Sequence, residues 1–454
     1  MTKLAVFKSS KWRRERSRMV VLIRLVALMI ALFAGFANNM VQGQDNLDEI
    51  NDDQAMVQGL RDRGLLELAD RFCDQALTKK DLSGIHHANL VVEKIRTQMA
   101  RAIQTPVSER AKAWEQAQTI GNEFLQKATA EPRRPIVEIQ LALARLAEGR
   151  LIAAENRIGS VDETLRQRGL EQVREARKRL DGIERELKKQ LGRAPTKKTS
   201  DGRLTNEQVH SILANVRFQI ALASLETANY YPADDRVSRV DVLTGVVSGL
   251  EEILGQVDAQ NALAHAARIR LAEAQRLMAN FPMAEKNLAL VPVAELNGEN
   301  RQLFFEQSFD LAVDAGRPAT AVGLLETIEN SSTLKPSTQL AMLRLMFAMS
   351  KQVSAEQRSG WLDRATNLIA RIDSTQGTYW SRLAERTLLA NSGSTGAATI
   401  GAGTDSAMNQ GTVELVARVG EAALRESRWA DAREAFDQAA AEAQSSKNWS
   451  ATFE

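Results

Sequence analysis

Residues 421–443 read EAALRESRWADAREAFDQAAAEA, and the spacing inside them decides the fold: a small residue at Ser427, an apolar one at Trp429, an alanine at Ala432 and a second apolar residue at Phe436. The same order recurs at Gly64/Leu66/Ala69/Cys73, Gly149/Leu151/Ala154/Ile158 and Ala279/Phe281/Ala284/Leu288. Two more copies stand at Gly316/Pro318/Ala321/Leu325 and Gly360/Leu362/Ala365/Ile369. Such a pattern suits a tight turn followed by a helix whose alanine admits a neighbouring helix at close range, hairpin after hairpin. At 454 residues the chain exceeds the size at which one compact core keeps growing, so it is several domains or an elongated stack, and the repeats fit a stack better.

Composition points the same way. Hydrophobic residues make up 44% and charged residues 26%, ordinary values for a folded chain, while only 9 Pro and 5% aromatics leave a helix-favouring mixture with almost no expected β structure. The net charge of +2 is unevenly placed: residues 1–43 hold eight basic side chains against Glu15 alone, so the rest of the chain is net acidic at −5. An acidic body is poorly suited to neutralising a phosphate backbone, which argues against nucleic acid as a partner. Cys73 is the only cysteine, so no intrachain disulfide and no thiolate metal cluster can form, and at an apolar repeat position it reads as a small buried hydrophobe.

The N-terminal 43 residues have the grammar of an export signal: a basic start through Arg18, an apolar stretch from Met19 to Ala37, then small and polar residues. Arg24 leaves an uninterrupted apolar run of Leu25–Ala37, which as a helix rises only about 20 Å against a hydrocarbon core of about 30 Å. That length favours a cleaved signal peptide over a retained anchor, although Arg24 can snorkel and let a span begin near Met19. The expected location is outside the cytoplasmic membrane, periplasmic or extracellular, with membrane contact only through residues 19–37 if they are kept.

Beyond a polar acidic exit at 44–55, helical hairpins are expected over 44–160, with breaks at Lys80–Gly84, Thr105-Pro106 and Glu131–Pro135 and about six helices in all. A dense charged helix and linker occupy 161–205, with a narrow apolar stripe at Leu165, Leu170, Val173, Leu180, Ile183, Leu187 and Leu191. Its apolar steps drift from a strict heptad, which favours a long helix outrunning its neighbours over half of a coiled coil. More hairpins are expected over 206–391, a low-complexity loop over 392–410 and a last hairpin over 411–454. No polar capping helix is evident after it, so the last helix is short or the natural chain continues.

These residues resemble the tetratricopeptide repeat family. In the best match Ala422 and Leu424 lie on the first helix, Ser427 stands at the family's glycine turn, Trp429 at its tyrosine, and Ala432, Phe436 and Ala439 at its small, aromatic and small positions. The stretches around Gly149, Ala154 and Ile158 and around Gly316 and Ala321 follow. The chain departs from the family in its intervals of 37 and 44 between Ala279, Gly316 and Gly360, and in holding Leu or Ile at most tyrosine and phenylalanine positions. The resemblance implies an all-α, right-handed superhelical stack of antiparallel helix hairpins, a solenoid with a concave groove for proteins or peptides, and it implies no chemistry.

The residues themselves supply no catalytic set. His86, His87, His210 and His265 show no metal-ligand spacing, and neither a nucleophile elbow nor a phosphate loop is present. No enzyme activity, cofactor or metal is expected. Among the aromatics, Trp361 and Trp429 read as packing residues and Tyr230-Tyr231 as the exposed pair. Repeat-packing roles fall to Gly64, Ala69, Gly149, Ala154, Ala284, Gly316, Ala321, Gly360, Ala365, Trp429, Ala432 and Phe436. The expected function is a noncatalytic interaction scaffold, its contacts made from Asn206 onward. A membrane-anchored organiser and, less favoured, an envelope hydrolase using paired carboxylates are the rival readings.

Overall fold

The computed structural model describes residues 52–79, 82–105, 109–156, 161–197, 199, 203–232, 235–331, 334–376, 378–392, 410–425 and 428–445. The export-type segment 1–43, most of the low-complexity loop, Pro106, Ile158 and Ser427 lie outside them. Among the described residues the chain is all-α, with seventeen α-helices and no strand. None of these helices is long and apolar enough to cross a membrane.

The chain divides after Arg270 into two compact units, a division that falls inside the block expected at 206–391. The first unit holds α1 (Asp52–Asp62), α2 (Leu66–Leu77), α3 (Gly84–Gln104), α4 (Arg110–Lys127), α5 (Arg134–Asn156), α6 (Glu163–Leu191), α7 (Asn206–Asn229) and α8 (Arg236–Leu254). The second begins within α9 (Ala262–Leu277) and continues through α10 (Phe281–Ala289), α11 (Gly298–Asp314), α12 (Val322–Ile328), α13 (Pro336–Gln352), α14 (Ala355–Gln376), α15 (Thr378–Ser392), α16 (Gln410–Arg425) and α17 (Trp429–Ser445). Among the described residues five helices, against about six expected, precede residue 160.

Local chemistry sets the helix starts. Ser83, Asp162, Asp235 and Asn297 accept from backbone N–H groups of the first turns of α3, α6, α8 and α11, and Thr205 with Gln208 forms a reciprocal capping box at α7. Pro135 and Pro336 sit in the first turns of α5 and α13, where the missing N–H has no intrahelical partner to lose.

Within each unit the helices pack on their sequence neighbours and on the helix after next. In the first unit, Arg145 donates to Gln172 at 2.8 Å and Arg168 to Glu148 at 2.7 Å, while Arg217 donates to Glu184 at 2.9 Å and Asn206 to the Leu191 carbonyl at 3.2 Å, so α5, α6 and α7 run antiparallel in turn. Buried ion pairs join α1 to α3, where Glu93 accepts from Arg61 at 2.8 Å and Arg96 at 2.6 Å, and α4 to α5, where Arg110 meets Glu155 at 2.6 Å.

The second unit carries a side-chain ladder between helices one hairpin apart. Lys335 meets Glu299 at 3.4 Å, Ser337 and Thr338 donate to Glu306 at 2.6 and 2.8 Å, Arg344 pairs with Asp310, and Gln352 donates to the Gly316 carbonyl at 3.1 Å. The partners advance together along the chain, so α11 and α13 are parallel, with sequence separations of 31 to 36. A second row, Arg317 to Glu285 and Arg364 to Glu329, repeats the interval at 32 and 35 on the intervening segments.

Three of the expected turns are real: Gly64, Gly316 and Ala279 adopt φ of 75°, 70° and 59°. Gly149 and Gly360 are not turns but lie inside α5 and α14. At Gly360 nothing stands within 4 Å of where a Cβ would be, and the helix break falls earlier, at Val353-Ser354. One glycine among good helix formers costs only about 1 kcal/mol against alanine, too little to end a helix. Moving the break to Val353 turns the irregular intervals of 37 and 44 into two of 37.

The long helix also differs from expectation. The buried stripe of α6 is Gly169, Val173, Ala176, Leu180, Ile183 and Leu187, steps of four and three in strict alternation, covered by α5 and α7. Rather than outrunning its neighbours, α6 lies between them. Leu165, Leu170 and Leu191, which made the pattern drift, sit at the margins.

Candidate interaction surface

Of the repeat alanines, Ala69, Ala284, Ala321, Ala365 and Ala432 are all buried. Ala154 is only partly covered, and its neighbour Ala153 takes the buried position. Phe436 lies against Gly420 yet stays partly exposed, and Trp429 is 65% exposed, so the tryptophan read as a packing residue stands at the surface. Trp361 is half-buried, with the Arg364 guanidinium 4.3 Å above its ring.

Gly149 has a packing role instead of a turn. A Cβ there would overlap the Val173 side chain and come within 2.9 Å of the Gly169 carbonyl, so α5 and α6 touch through their backbones. A Cβ on Gly169 would overlap the Tyr230 hydroxyl and lie 2.7 Å from Ile152 Cγ2. That hydroxyl donates to the Gly149 carbonyl at 2.5 Å, while Arg166 donates to the Tyr230 carbonyl at 3.0 Å. Tyr230, expected to be exposed, is therefore buried as a bolt through three helices; Tyr231 is the member of the pair that reaches the surface.

With the end of α7 pinned in this way, Tyr231 and Thr227 meet Val242 of α8 over the outer face of α6 and form a groove of about 390 Å³. Its α6 wall is Arg174, Arg177, Lys178, Asp181 and Arg185, residues three, four and seven apart on one helix face. Four cations thus face one carboxylate. Burial raises the Asp181 pKa, against the lowering pull of Arg177 and Arg185. Other carboxylates on and beside α6 have cationic partners of their own. Glu163 is held down to about 2 by hydrogen bonds from Arg166 and Gln167, Glu184 accepts from Lys188 and Arg217, Glu186 meets Lys189, and Glu148 meets Arg168. Lys178 has Glu175 at 3.7 Å, whereas Arg174, Arg177 and Arg185 make no hydrogen bond or ion pair among the described residues.

Chemically, such a groove can hold an anion: guanidinium groups offer planar paired donors to carboxylate oxygens, and Tyr231 with Val242 adds a small apolar floor. It contains no nucleophile beside a base. His86 and His87 are exposed in the first turn of α3, His210 is exposed on α7 and His265 is buried on α9. Among the described residues no three His, Cys, Asp or Glu side chains are grouped to hold a metal ion. Cys73 is buried, and burial pushes its thiol up to about 12.

The groove lies ahead of most of the region expected to make contacts. The basic residues of α6 were visible in the sequence as part of a charged helix, but the residues that close the groove, Thr227, Tyr231 and Val242, come from α7, α8 and their connection. No protein-family model and no curated protein matches the chain.

Proposed function

We propose that this chain is an exported, noncatalytic scaffold of the cell envelope whose helical units resemble tetratricopeptide solenoids and hold a protein or peptide partner. The reading rests on the ladder between α11 and α13, where bonded partners recur 31 to 36 residues apart on parallel helices, because a stack of hairpins brings equivalent helices together at one repeat interval. Each hairpin buries its apolar stripe on the next and leaves a row of polar side chains outside, a surface for recognition by shape and charge. Export rests on the basic, apolar and small-residue order of residues 1–43.

Cell fractionation and affinity capture from the native envelope test this reading. The expected result is a protein outside the cytoplasm, lacking residues 1–43, that co-purifies with a defined protein partner. A cytoplasmic protein, or one that brings down no partner above background, would overturn it. Retention of Met1–Ala37 in the mature protein would replace the cleaved form with the anchored one.

A further inference from the structure

We propose that the groove between α6, α7 and α8 binds an extended acidic segment of a protein partner, an inference that rests on the scaffold reading and specifies its contact chemistry. The cationic wall from Arg174 to Arg185 rises roughly 17 Å along α6, the length of about five residues of extended chain. Carboxylates on alternate residues of such a segment share one side and can meet successive guanidinium groups. Three of those groups line the groove without an ion pair or hydrogen bond among the described residues, so no such pair has to break before an acidic side chain binds. Tyr231 and Val242 border the groove and suit a neighbouring apolar side chain.

Charge complementarity favours a short acidic peptide over the other anions. Glu171, Glu175 and Glu186 are exposed on the same helix, and beyond residue 43 the chain is net acidic, which disfavours a continuous phosphate backbone or an anionic membrane plane.

The test is fluorescence anisotropy with the purified full chain and a labelled peptide of about ten residues, close to twice the groove's length, in which Glu alternates with Ser. Binding that weakens with added salt is expected, and a matched peptide with Gln for Glu should bind at least about tenfold more weakly. Arg174→Gln and Arg177→Gln should each weaken binding by about tenfold. Lys189→Gln, beyond the groove on the same helix, should leave it unchanged. Circular dichroism of each variant should match wild type, since the substituted side chains are exposed. The proposal is overturned by equal binding of the Gln peptide, by retention of full affinity in both arginine variants, or by tighter binding to inorganic phosphate or to vesicles of anionic lipid. A protein that captures envelope partners but ignores the acidic peptide overturns the groove and leaves the scaffold reading standing; one that captures no partner overturns the scaffold itself.

Discussion

Two alanine substitutions on one helix should change stability in opposite directions. At Gly182 of α6 nothing lies within 4 Å of a new Cβ, so Gly182→Ala should gain the ordinary helix preference of alanine, about 0.5–1 kcal/mol. At Gly169 the same methyl would overlap the Tyr230 hydroxyl and crowd Ile152 at 2.7 Å. Overpacking a close crossing costs about 1–3 kcal/mol, and a displaced tyrosine hydroxyl forfeits about 0.5–1.5 kcal/mol of hydrogen bonding to the Gly149 carbonyl. Set against the propensity gain, Gly169→Ala should lose about 2 kcal/mol. Thermal unfolding of the purified protein, followed by far-UV circular dichroism, should show the first unit melting about 4–8 °C lower for Gly169→Ala and about 1–4 °C higher for Gly182→Ala. If Gly169→Ala melts at or above wild type while Gly182→Ala rises as expected, α5 and α6 do not touch as described.

Ala279 holds a left-handed φ of 59°, so Ala279→Gly should raise stability by roughly 1 kcal/mol, measurable as a later urea midpoint. Burial pushes the Glu93 pKa up, but Arg61 and Arg96 outweigh it and hold the carboxyl below its ordinary 4.5. Its contribution is therefore complete above about pH 4.5 and drains away as pH falls through the lowered folded value, and Glu93→Gln should cost about 3–5 kcal/mol at neutral pH and flatten the acid limb of the stability curve. An unchanged acid limb would contradict the buried pairing. With its thiol near 12, Cys73 should be thiolate in only about one molecule in ten thousand at pH 8, so a thiol reagent should label it in urea and hardly at all in the native protein. Rapid native labelling would place it outside the core.

Helix type was legible because alanine, leucine and charged residues at 3.6-residue spacing leave few alternatives, and the positive-φ turns were legible at Gly64 and Gly316 because glycine adopts that backbone without strain. The same glycine signal misled at Gly149 and Gly360, since a missing side chain also serves a helix crossing or is merely tolerated. On α6 the pattern was read from the large aliphatic residues alone, although Gly169 and Ala176 fill the buried stripe that Leu165 and Leu170 leave. Tyr230 and Tyr231 are adjacent yet one is a bolt and the other a groove wall, a distinction created where the end of α7 meets the Gly149–Gly169 crossing some way back in the chain. Trp429 matched a repeat position and still faces outward, because spacing gives the phase of a helix and not what stands beside it.

That the helices hold a protein partner is tested most directly by photocrosslinking in the living cell, with benzoylphenylalanine placed in turn at Tyr231, at the exposed Val237 of α8 and at the exposed Trp429. A discrete adduct with a second protein at Tyr231 or its neighbour, abolished by Arg174→Gln together with Arg177→Gln, is the expected result. Full-level expression with no protein adduct at any of the three positions would contradict the account.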